Sequence, residues 1–175
     1  MPWVGDKYVV EVNLTESGIK QAIADIKDFE QDLEAKIDEF TERMAEKGVE
    51  FAKAKILEYG AIDTGELYNS INLKKGDVIP NGSCWIVYTE CPYAQFVEFG
   101  TGPVGAKNPH PEANRYRSTG WSFPKPANWY GATTIWKGEE RALTMGQKSK
   151  PFMWDTKKYL ELESTIREVA KEVFG

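Results

Sequence analysis

The chain has 175 residues, 41% hydrophobic and 28% charged, with a net charge of −5 at neutral pH. That length allows one domain with a real core and argues against two. The acidic balance excludes a broad electrostatic footprint for nucleic acid, and no apolar run approaches the roughly 18 residues that suggest a membrane span. The opening Met1-Pro-Trp-Val-Gly-Asp has neither the basic nor the apolar region of a signal peptide, which predicts a soluble chain in the cytoplasm where it is made.

Lys7 to Leu14 alternates well enough for a strand. Thr15 is placed to cap a helix, with Glu16 in the first turn where a carboxylate suits the helix dipole. No proline follows before Tyr59, and Ile19, Ile23, Ile26, Phe29, Leu33, Ile37, Phe40, Met44 and Phe51 recur at helical steps. Gly60 is a stop signal. Such a run is long for a globular helix, so it either breaks near Phe29–Leu33 or packs against neighbouring subunits. Asp63 and Glu66 stand at capping-box spacing and predict a short helix with Leu67 and Ile71 inward. A polar strand at Asn72–Lys75, a turn around Ile79–Gly82 and a buried strand at Cys84–Thr89 then read as a hairpin.

Thr101 to Pro151 differs in character. It is rich in glycine, proline and aromatics and shows no sustained period, which predicts a functional or partner-ordered loop. Eight cationic residues against three carboxylates give it +5, so the rest of the chain carries −10. Aromatic and Arg-rich segments favour protein interfaces, and on that ground Arg115, Trp121, Trp129 and Trp136 are candidate contacts. Asp155 is a candidate cap for a last helix striped by Leu162, Ile166, Val169 and Val173.

The motifs of catalysis do not hold together. Gly100 to Gly105 spells G-x-G-x-x-G, but Pro103 and Asn108-Pro-His-Pro111 oppose the helix that a dinucleotide loop needs. Asp63-Thr64-Gly65 spells the aspartic-protease triplet, yet it follows a helix stop, and only a symmetric dimer would supply the second carboxylate. His110 is the single histidine, and with Cys84 and Cys91 it falls short of a four-ligand zinc site. No catalytic residue, cofactor or metal ligand is assigned. The competing readings are a homodimeric aspartic-type hydrolase using Asp63, and a single-stranded nucleic-acid-binding module in which the loop aromatics stack on bases.

Three stretches together make a further pattern: Asp63-Thr-Gly-Glu-Leu-Tyr-Asn-Ser-Ile71, Tyr93-Ala-Gln-Phe-Val-Glu-Phe-Gly-Thr-Gly102 and Gly146-Gln-Lys-Ser-Lys-Pro-Phe-Met153. In this order they resemble the tail-completion or head–tail joining (neck) proteins of lambda-like tailed bacteriophages and prophages, over roughly residues 15 to 175. The resemblance implies a single α+β domain over 1–175, with a long N-terminal helix and a C-terminal helix packed on a small antiparallel sheet, and 101–151 inserted as a long loop. It also implies a non-enzymatic virion subunit, made in the host bacterial cytoplasm. Such a subunit forms a homo-oligomeric ring, a hexamer in preference to a dodecamer. The ring surrounds a channel through which DNA passes without sequence recognition. It meets other neck and tail proteins (tail terminator, tail tube, head-closure protein) and no membrane.

By the same resemblance Asp63 and Gly65 mark the first motif, and Tyr93 to Phe99 is a core element whose Glu98-Phe99-Gly100-Thr101 turn launches the partner-facing loop. On the residues' own terms, Gly100 and Gly102 permit a sharp exit, Glu98 either accepts hydrogen bonds from the following turn or faces solvent, and Pro151-Phe152 anchors the loop's return.

Overall fold

One helix, α1 (Glu16–Glu58), is the spine of the fold. The computed structural model describes residues 3–4, 7–8, 12–77 and 82–175, the first two pairs by backbone alone. Thr15 caps α1, its hydroxyl accepting from the Gly18 amide at 3.1 Å, and Tyr59 and Gly60 end it. The helix runs unbroken through Phe29–Leu33, so its 43 residues span about 65 Å. Its two halves are packed differently. Ala45, Gly48, Ala52 and Ile56 in the second half are buried, and small side chains there let neighbouring elements close in. A Cβ on Gly48 would lie 3.0 Å from Val87 and 3.1 Å from Leu160. In the first half Ala22 is buried, while Ile19, Ile23 and Ile26 stand about half exposed.

The chain begins with a two-residue antiparallel pair, β1 (Trp3–Val4) and β2 (Lys7–Tyr8). The strand expected from Lys7 to Leu14 is thus seen only at its start. Residues 9–11 lie outside the described residues, and Val12 to Leu14 are not in a strand. Helix α2 (Glu66–Ser70) buries Leu67, with Ile71 just beyond it. Its capping box does not form. Gly65 occupies the cap position at φ +83, Thr64 Oγ1 accepts from the Glu66 amide at 3.3 Å, and Asp63 is exposed. The left-handed Gly65 turns the chain so that the threonine, one residue later than expected, faces the helix start.

β3 (Asn72–Lys75) and β4 (Trp85–Tyr88) pair antiparallel, Asn72 opposite Tyr88. The β4 strand is half-buried rather than buried. Apart from Gly82, the turn expected between them lies outside the described residues. Asp38 of α1 holds this hairpin, accepting from Lys75 Nζ at 2.7 Å, from Trp85 Nε1 at 3.1 Å and from the Ser83 hydroxyl.

Two short helices follow, α3 (Ala94–Phe99) and α4 (Gly102–Lys107). Beyond them the segment expected as a loop is a folded arm. It contains β5 (Trp121–Pro124), β6 (Thr133–Trp136) and β7 (Glu139–Thr144) in an antiparallel sheet of order β5-β7-β6. The β6–β7 connection is the two-residue turn Lys137-Gly138 with φ +52 and +84, the positive pair that suits the twist of a tight hairpin. The expectation that Pro103 opposes a helix is corrected by α4: the proline sits in the first turn, where its missing N–H has no helical partner to lose.

The C-terminal helix is two helices, α5 (Phe152–Leu160) and α6 (Glu163–Phe174), separated where Leu162 turns extended at ψ 130. Asp155 lies inside α5 rather than capping it, and it accepts a hydrogen bond from the Tyr59 hydroxyl. The core gathers Ala52, Ile56, Leu67, Ile71, Cys91, Ala94, Val97 and Phe152, uniting α1, α2, α3 and α5. Cys84 and Cys91 are both free thiols. The class is α+β.

Candidate functional site: the anchored arm

Helix α5 begins at Pro151, which offers no side-chain acceptor to the first-turn amides. Those amides need a partner, since buried N–H groups are seldom left unpaired. Glu98, from α3, supplies it. Oε2 accepts from the Met153 amide at 2.9 Å, and Oε1 accepts from the Trp154 amide at 2.9 Å. A carboxylate at a helix N-terminus also meets the positive end of the helix dipole.

His110 completes the arrangement. Its Nδ1 accepts from the Glu112 amide at 3.0 Å, so Nε2 carries the proton and donates to Glu98 Oε1 at 3.1 Å. The ring packs 4.4 Å from Phe99 and 5.8 Å, edge-on, from Trp154. Glu98 is only 7% exposed and His110 2%. One buried carboxylate thus ties α3, the start of the arm and the start of α5. The expectation that Glu98 bonds to the turn just after it is corrected: its partners lie 12 to 56 residues along the chain.

The two ends of the arm run side by side above this clamp. Thr101 N donates to Gln147 O at 2.8 Å, Val104 N to Met145 O at 3.2 Å and Lys150 N to Val97 O at 2.9 Å. The Ser149 hydroxyl reaches Glu98 O at 2.6 Å. Tyr116 braces the exit, donating to Phe99 O at 2.9 Å and accepting from the His110 amide at 2.7 Å. The glycines of the nucleotide-like spacing serve this crossing. A Cβ on Gly100 (φ +70) would lie 2.5 Å from Ser149 N, and one on Gly146 (φ +90) would lie 2.0 Å from Thr101 O. Gly102 shares the left-handed backbone. What precedes the motif is α3, not a strand, so no phosphate loop is built.

Between α3 and the arm sheet opens a groove of about 820 Å³. Tyr93 and Phe96 line it from one side, Trp121, Phe123 and Trp129 from the arm, together with Arg115 and Arg117. The Arg117 guanidinium lies 5.8 Å from the centre of the Trp121 ring, and Phe123 meets Trp129 edge-on at 5.2 Å. Trp136 is not part of the groove lining. It stands half exposed under Lys137 and Arg141, at 4.6 and 5.2 Å. Tyr130 is 98% and Ile135 70% exposed. Phe96 and Phe99 are half exposed, which corrects their reading as core: α3 turns Ala94, Val97 and Glu98 inward instead.

The sequence therefore pointed to Glu98, Phe152 and the arm tryptophans, but it gave no structural role to His110, Tyr116, Asp38 or Thr64. Pro-His-Pro inside an apolar-poor segment was the available signal for His110. Asp63, named from its triplet, stands apart on the surface. Among the described residues, no group of three His, Cys, Asp or Glu side chains is placed to hold a metal ion. Nor is any helix among them long and apolar enough to cross a membrane.

The arrangement is a scaffold: helices and a hairpin, locked by a buried carboxylate, that hold out a second small sheet with aromatic and cationic surface. Residues 21–100 match the family model described as "Bacteriophage HK97-gp10, putative tail-component", from α1 to the point where the arm departs, just under half of the chain. That part of the chain is thus similar to a phage tail component, in keeping with the resemblance to neck and tail-completion proteins. No curated protein and no solved structure matches the chain.

Proposed function

We propose that the chain completes the head-proximal end of a phage tail and joins it to the head connector, as one subunit of a ring around the DNA channel. The observation that carries this reading is the Glu98 clamp. It makes the arm's two ends one rigid unit with α3 and α5, yet leaves Tyr130, Ile135 and Trp136 outside the core of their own chain. Rigid, exposed aromatics suit a contact between subunits, because little side-chain freedom is lost on binding. The acidic body outside the arm repels the phosphate backbone, as suits a wall past which DNA must slide.

The test is excision of the arm sheet. Because His110 and Tyr116 belong to the clamp, the cut must spare them: residues 119–143 are replaced by a short Gly-Ser linker. The expected product melts cooperatively but leaves heads and tails unjoined. Unchanged yield of infectious particles from such a phage overturns the reading.

A further inference from the structure

Two exposed surfaces of this chain are complementary to each other. The first is the ridge Ile19, Ile23 and Ile26 on the N-terminal half of α1, three apolar side chains at i, i+4 and i+7, each 45% exposed or more. Around it the segment 16–35 carries six carboxylates against two lysines. The second is the groove between α3 and the arm, about 820 Å³, with Phe96, Trp121, Phe123 and Trp129 in its walls and Arg115 and Arg117 beside them. An apolar groove with cationic neighbours is what an acidic amphipathic helix fits, through anchors at that same spacing.

We propose that the α1 ridge of one copy seats in the arm groove of the next copy. The occupant is a second copy of this chain because the charges match: the segment 101–151 is +5 and the segment 16–35 is −4. The helix also has the reach. Asp38 marks where the β3–β4 hairpin is held, and about 30 Å of α1 precedes it. Ridge and groove are different surfaces, so the contact is head-to-tail and propagates around a closed ring rather than stopping at a dimer. The docking rests on the ring reading above, and names which surfaces of the subunit make it.

The experiment uses the full chain. Arg115→Glu/Arg117→Glu and, separately, Glu16→Lys/Glu30→Lys are compared with the parent by sedimentation, after melting curves show that each is folded. Each pair is expected to shift the oligomer to monomer, and the four substitutions in one chain to restore it. An oligomer of unchanged mass in both pairs overturns the docking and leaves the ring standing. In assembled particles, p-benzoylphenylalanine in place of Ile23 is expected to crosslink to residues 115–129 of another copy. Crosslinks only to other segments or other virion proteins overturn the docking. A parent chain that is monomeric in solution and gives no crosslink between copies in particles overturns the ring itself.

Discussion

The carboxylate of Glu98 and the amide of Trp154, 56 residues apart, meet at 2.9 Å inside the protein. The contact replaces a cap that α5 lacks locally, and Met153 and His110 share the same two oxygens. Truncation to Glu98→Ala leaves three donors unpaired. It is expected to destabilise the chain by about 3 kcal/mol in urea unfolding, whereas Glu98→Gln, which keeps one acceptor, falls between. Because the clamp holds the arm, proteolysis within residues 112–145 is expected to rise in parallel. A Glu98→Ala chain with parental stability and parental cleavage would contradict the role.

Gly146 and Gly138 offer a contrast in which the backbone is left-handed at both, φ +90 and +84. Around Gly138 nothing lies within 4 Å of a new Cβ, while at Gly146 the Thr101 carbonyl lies 2.0 Å away. Gly138→Ala is expected to lose about 1 kcal/mol, from backbone strain alone. Gly146→Ala should lose well over twice that, because the two crossing chain segments must separate. Thermal melts of the two variants give the comparison directly.

Phe152 is the largest fully buried side chain among the described residues, and Phe152→Ala is expected to lose about 3–5 kcal/mol by leaving a cavity under the arm's return. Asp63→Asn, on an exposed residue that does not cap α2, is expected to stay within about 0.5 kcal/mol of the parent. The same variant checks the hydrolase alternative, whose chemistry needs the carboxylate at this position. Equal particle yield from parent and variant is the expected result, and loss of particles from a folded variant would favour the hydrolase.

Acid should loosen the hairpin from α1. Lys75, then Ser83 and Trp85, hold the Asp38 carboxyl at about 2, below its ordinary 3.8. A carboxyl depressed on folding stabilises the native state above its ordinary value, and that contribution fades as pH falls through the folded value. The window is therefore between about pH 4 and pH 2. Asp38→Asn should flatten the stability profile there while leaving its shape at neutral pH unchanged. Fluorescence of Trp85, whose Nε1 bonds Asp38, reports the release.

Local signals determined much of this protein. The 3.6-residue stripe, the Thr15 cap and the absence of proline set α1, because those interactions form within a turn of helix. Leu67 and Ile71 were inward by the same periodicity, and the β3–β4 hairpin was readable from its strand composition. Only the tertiary structure decided which half of α1 is buried, since an apolar stripe looks the same whether or not another element covers it. It also decided that 101–151 is a folded arm, whose strands of four to six residues stand only by pairing with one another. Finally it decided that Glu98 and His110 are interior: a carboxylate is stable there only when distant amides and a histidine reach it, and no spacing along the chain encodes that meeting.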